Sequence, residues 1–246
     1  MPKPHIIAVV SGRGGVGKTM LAVELAAELA RGRKTLLFNL DFFNRGLTGL
    51  FASISEHSRK IAVPSFPLFA CVGNDTDWDI AAIGQNLLAV CYDDLDKSEA
   101  NTLEMTDIAS LAQTLDRYIQ MLAEACGAEV IVLDCHGGPD NTSFAACLTA
   151  QHSLLVSEPD RITLHGTLHF LRILKRTAGS GDLDIRLVFN KVIPAFSTPF
   201  LFRFYRDFLQ SEFGGKPLLG IYPLEAHLTK EFEKTPFLTT VYLPRS

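Results

Sequence analysis

The chain has 246 residues, 47% hydrophobic and 20% charged, the profile of a soluble globular protein long enough for one α/β domain with a sizeable core. With 23 basic and 27 acidic residues the net charge is −4, so no global field favours nucleic acid and DNA contact would need a local patch. The five cysteines, Cys71, Cys91, Cys126, Cys135 and Cys147, contain no Cys-x-x-Cys pair, which argues against a disulfide framework or a zinc site and fits a reducing, cytoplasmic setting.

Met1 to His5 runs straight into a first apolar segment, so no signal peptide is expected, and no apolar run reaches the ~20 residues of a spanning helix. Membrane contact is therefore expected to be peripheral at most. Ile6 to Val10 reads as a buried strand, and Met20 to Ala30 has the apolar spacing of a helix. Between them lies Ser11-Gly12-Arg13-Gly14-Gly15-Val16-Gly17-Lys18-Thr19, a glycine loop closing on Lys-Thr. Strand, glycine loop and helix is the setting of a phosphate-binding loop. Small residues let the backbone turn its N–H groups onto phosphate oxygens, and the helix adds the positive end of its dipole. Lys18 can reach the β- and γ-phosphates, and the Thr19 hydroxyl can ligate Mg²⁺.

Lys34 to Asp41 is expected as a second strand closing on a carboxylate, where ligands bind in open parallel sheets, although an Asp there can also cap the next turn. Phe42 and Phe43 suit either a core or a partner surface. Residues 53 to 79 show no periodicity and read as loops around Pro64, Pro67 and Gly73, with room for a short helix. Asn86 to Tyr92 reads as a buried strand, and the charged run from Asp93 to Lys97 as a solvated loop. Ile108, Leu111, Leu115, Ile119 and Leu122 recur at helical spacing up to Cys126, and Gly127 ends the pattern.

Glu129 to Asp134 is an apolar strand ending in Asp, followed by Cys135-His136-Gly137-Gly138. Such an acid is suited to hold the hydration shell of Mg²⁺ beside Thr19, and the glycines allow a backbone that senses the γ-phosphate. His136 suits a pH-reporting or phosphate-bonding role, but with no partner visible in the sequence it reads first as an ordinary loop histidine; Cys135 reads as a packed thiol. His152 to Pro159 is a further strand, and Asp160 caps a helix from Arg161 to Thr177. Arg172, Lys175 and Arg176 near its end are explained by the helix dipole, which is preferred to a DNA patch. Asp184 to Lys191 is the next strand. Phe200, Phe204 and Phe208 would make one aromatic helical face, a buried stripe or in part a partner surface.

The pattern Gly-x-Gly-Gly-x-Gly-Lys-Thr resembles the deviant P-loop of the ParA/MinD ATPases, a group that includes BcsQ and FlhG. The resemblance implies a P-loop NTPase fold, with a mostly parallel, doubly wound sheet and helices on both faces, formed by a single nucleotide-binding domain over residues 1–246. It implies ATP and Mg²⁺ as cofactors, a nucleotide-dependent homodimer and a further, unidentified protein partner. The family's signature lysine stands here as Arg13, which keeps the charge in a planar fork and would touch the partner's phosphate in trans. Residues Gly12 to Met20 would bind the nucleotide. Lys18, Asp41 and Arg13 would serve catalysis, with Asp41 positioning or activating the attacking water. Thr19, Asp41 and Asp134 would hold the metal, Asn190 would bond adenine, and Pro223, in a Gly-x-Ile-Pro-like turn at 220–223, would lie near the base. Asn39 replaces the first Asp of the family's Asp-x-Asp element. Residues 229–246 lack the basic amphipathic helix with which MinD binds membranes. Two alternatives stay open: an ATP-dependent ligase or synthase of the cobyric acid and dethiobiotin synthetase type, and a nucleotide-dependent scaffold with negligible turnover.

Overall fold

A computed structural model describes residues 2–42, 47, 60–63, 66, 78–91, 102, 105–179, 183–192 and 220–223. Along them run β1 (His5–Ser11), α1 (Lys18–Leu29), β2 (Thr35–Asn39), β3 (Lys60–Val63), β4 (Trp78–Ala82), β5 (Leu87–Cys91), α2 (Ile108–Cys126), β6 (Val130–Gly137), α3 (Asn141–Thr149), β7 (His152–Ser157), α4 (Arg161–Ala178), β8 (Ile185–Val192) and β9 (Gly220–Pro223). The nine described strands form one sheet in the order β3-β4-β5-β2-β6-β1-β7-β8-β9. From β5 to β9 every pairing is parallel; β3 and β4 extend one edge as antiparallel strands.

Strand alternation explains the layers. Ile6, Ala8 and Val10 turn to one face with Leu36, Phe38, Ile131 and Leu133, where α2, α3 and α4 cover them through Leu115, Ile119, Phe144 and Leu171. Val9, Leu37, Val132 and Val188 turn to the other, under Leu21, Ala22, Val23 and Ala26 of α1. Both faces are covered, which is why these strands are apolar along their length rather than alternating with polar residues. Burying a side chain the size of Leu or Phe contributes about 1.5–3 kcal/mol, so this double layer is the main source of stability.

Helix ends follow local chemistry. Asp107 caps α2 by accepting from the Ser110 N–H, and Gly127 leaves that helix in the left-handed region at φ 69°. Asp160 accepts from the N–H groups of Ile162 and Thr163 at the start of α4. Two expectations need correction. The stretch 53–79 is not wholly loop, since β3 and the start of β4 lie in it. The second is the helix α3 over 141–149, not anticipated because its apolar residues are small and nearly continuous, leaving no helical period to see. Phe42 belongs to the core and stacks on Phe66 at a 6.3 Å ring separation. The loop residues Pro64, Pro67 and Gly73, Asp93 to Lys97, the phenylalanine stripe 200–208 and residues 229–246 lie outside the described residues.

Candidate nucleotide site

Every candidate residue brought together lies at the carboxyl edge of the parallel sheet, around the point where the chain moves from β1 to β2 on one side and β7 and β8 on the other. β6 sits between β1 and β2, so its end places Asp134 between the glycine loop and Asp41.

The loop from Ser11 to Gly17 is held by contacts that only glycine permits. Gly15 and Gly17 have φ of 81° and 87°. A Cβ on Gly12 would lie 2.2 Å from the Gly166 carbonyl oxygen of α4, and one on Gly17 2.2 Å from Nδ2 of Asn190. Gly137 of β6 packs on the loop from the other side, where a Cβ would be 2.5 Å from Cα of Gly14. The Ser11 hydroxyl donates to the Arg13 carbonyl at 2.5 Å, and Gly138 N–H donates to the Ser11 carbonyl at 3.1 Å. These contacts within the chain define the shape of the loop.

Asn190 and Lys191, at the end of β8, tie the loop down from a third side. Asn190 Nδ2 donates to the Val16 carbonyl at 2.8 Å. Lys191 Nζ donates to the Gly15 carbonyl and pairs with Glu158 Oε1 at 2.8 Å. Lys191 has φ 54°, unfavourable for a residue with a Cβ, and its ammonium is held by these two acceptors. Neither Glu158 nor Lys191 was expected at the site; the Asn-Lys dipeptide at a strand end was the available signal.

Lys18 opens α1 and is 6% exposed. Asp134 is 1% exposed, and among the described residues neither of its carboxyl oxygens has a hydrogen-bond partner. Burial pushes its carboxyl up to about 7, against the pull of the Thr19 hydroxyl and the Lys18 ammonium and with the push of Asp41. The Thr19 hydroxyl lies near the Asp134 carboxyl. A buried, unsatisfied carboxylate beside a hydroxyl is a hard oxygen set of the kind Mg²⁺ prefers, so the residues fit that ion. Met20 follows Thr19 in the first turn of α1, half-buried. Arg13 is exposed, with its stem along Gly166 and its charge near Asp160. Pro223 ends β9 in register with Val192.

Asp41 follows β2, and its N–H donates to Asn39 Oδ1 at 2.9 Å. Its Oδ1 lies 2.8 Å from Nδ1 of His136. The reading of His136 as an ordinary loop histidine is therefore corrected: it is part of β6, paired with the acid at the end of the neighbouring strand. The register explains why. Asn39 pairs with Asp134 across β2 and β6, and two residues further along each strand stand Asp41 and His136. The hydrogen bond with Asp41 raises the imidazole's affinity for protons, partly offset by burial. Cys135, one residue back, faces the opposite side and is fully buried with its thiol held well above the ordinary value by desolvation, as expected of a packed cysteine.

A glycine loop between a central parallel strand and its helix, faced by an acid at the end of the adjacent strand, defines a P-loop nucleotide-binding protein. The model of the CobQ/CobB/MinD/ParA nucleotide-binding domain matches residues 7–236, and the chain belongs to this family. It is 25% identical over 195 residues to the septum site-determining protein MinD of Synechocystis sp., covering 77% of this chain and 65% of that one. In structure it is similar to a plasmid partition protein of Borrelia burgdorferi bound to AMPPNP, with TM-score 0.70, 20% identity and coverage of 98% and 93% of the two chains. It is also similar to MinD of Pyrococcus horikoshii complexed with Mg-ADP, with TM-score 0.63, 20% identity and coverage of 92% and 84%. The chain spans between 65% and 72% of the MinD relatives that it matches along most of its length. Among the described residues no helix is long and apolar enough to cross a membrane.

Proposed function

We propose that this protein is a Mg·ATP-binding ATPase that hydrolyses slowly, dimerises around its nucleotide and so positions or regulates a partner. The observation carrying the reading is the buried, unmet Asp134 carboxylate beside Thr19, at the foot of a glycine loop already held in shape. The nucleotides named in the two similar structures support it. Thr19, Asp134 and Asp41 would hold Mg²⁺, which when bound supplies charge neutralisation at the phosphates. The loop amides from Gly12 to Met20 and the Lys18 ammonium would hold the phosphates. Asn190 and Pro223 would border the base. Asp41 would orient the attacking water. Arg13, exposed at the loop's outer side, would reach the second copy's nucleotide. One domain spanning 1–246 would carry all of this.

Two measurements test it together: the solution mass of the protein with Mg·ADP and with a non-hydrolysable ATP analogue, and its ATP turnover. A dimer with the analogue alone, lost in Arg13→Ala, is expected, with turnover that falls in Asp41→Ala. A nucleotide-bound protein whose mass ignores the γ-phosphate would rule out the dimer switch.

A further inference from the structure

We propose that His136 is a positioning residue for Asp41, its ring holding the carboxylate in the orientation that water activation requires. The inference rests on the hydrolytic role given to Asp41 above. Two of the contacts of Asp41 grip it from either side of the site. Asn39 Oδ1 accepts from its backbone N–H at 2.9 Å, and the His136 ring meets Oδ1 of its side chain at 2.8 Å. An ionised carboxylate has only lone pairs to offer, so Nδ1 carries the hydrogen and donates. The grip spans the two strand ends that flank the nucleotide: Asp41 follows β2, and His136 lies two residues beyond Asp134 on β6. His136 is itself steadied, because Gly137 is packed on Gly14 and Gly138 N–H is bonded to the Ser11 carbonyl, so the ring stands on a segment anchored to the glycine loop.

The energetic argument is one of pre-organisation. An aspartate at a strand end can rotate freely about its last bond, and a misplacement of about 1 Å in a group that orients a nucleophile can cost on the order of a hundredfold in rate. A donor fixed on the neighbouring strand restrains that rotation. Such a device acts on the chemical step through Asp41 and leaves binding to the loop unchanged.

The test compares ATP turnover and ADP affinity in the wild type, His136→Leu, His136→Asn, Asp41→Ala and the Asp41→Ala/His136→Leu double variant. Leucine fills the space without a donor, whereas the asparagine Nδ2 sits as many bonds from the backbone as Nδ1 of histidine. Expected are a fall of about tenfold or more in kcat for His136→Leu with ADP affinity measured without Mg²⁺ unchanged, recovery to within a few-fold in His136→Asn, and no further loss on adding His136→Leu to Asp41→Ala. If His136→Leu turns over as fast as the wild type or faster while Asp41→Ala is slow, His136 does not position Asp41 and only this inference falls. Failure of both His136 variants to bind ADP would make the residue structural and overturn the inference as well. If Asp41→Ala matches the wild type, the hydrolytic role of Asp41 falls, and the inference with it.

Discussion

Asp134 shows how a single buried residue can cost a fold stability. Its carboxyl is raised to about 7 by burial, so above that pH the nucleotide-free fold contains an ionised group that water would solvate better. An acid whose folded value lies above its unfolded value opposes folding progressively as pH rises from about 4, and fully above 7. Asp134→Asn is therefore expected to raise the melting temperature of the nucleotide-free protein at pH 8, by on the order of 2 kcal/mol in stability, with the gain fading towards pH 4. The same variant is expected to lose Mg²⁺-dependent protection by ATP. Thermal unfolding at the two pH values, with and without Mg·ATP, measures both effects. Gly12 gives a second residue-scale prediction. A methyl group there meets a backbone carbonyl at 2.2 Å, with no side chain able to step aside, so Gly12→Ala is expected to destabilise by about 3 kcal/mol or more and to abolish nucleotide binding. A methyl group on Gly166 would meet the Arg13 stem at 2.8 Å and the Gly12 carbonyl oxygen at 3.0 Å, so Gly166→Ala requires a smaller shift than Gly12→Ala and is expected to cost less than it.

At the scale of elements, α4 does more than cover the core. Its Gly166 is the surface on which the glycine loop rests, and its start is set by Asp160, so the cap registers the helix against the loop. Asp160→Ala is expected to cost about 1 kcal/mol of stability and to weaken nucleotide binding, whereas Asp107→Ala, at the α2 cap, is expected to lower stability with binding unchanged. Calorimetric titration with ADP on both variants separates the two. The elements visible in the sequence were those with a strong local signal. The apolar runs of β1, β2, β6, β7 and β8, the helical period of α2 and the aspartate cap of α4 were read to within a residue or two at most ends. What stayed hidden depended on partners far along the chain. β3 is four residues long and acquires its identity from pairing with β4, and α3 lacks a period. His136 could be placed only once the β2–β6 register was known, and Lys191 only once β8 was seen to end beside the loop.

Across the whole molecule, the site is a meeting of strand ends rather than a pocket cut into one element, and the sheet's parallel core holds those ends level. Replacing a core residue that shows no polar contact with the site, such as Leu133 by Ala, is expected to cost about 2–5 kcal/mol in stability, leaving ADP affinity intact below the melting transition. The glycine loop occupies positions 11 to 17, near the start of the numbering, yet the groups that hold it come late: Gly137, Gly166, and Asn190 with Lys191, separated from their loop partners by 174 and 176 positions. During synthesis the loop leaves the ribosome long before its supports exist. Closing such distant contacts is slow relative to local ones. The loop thus emerges before the framework that shapes it, and a nascent chain halted before residue 137 would carry the whole phosphate-binding motif with none of these supports.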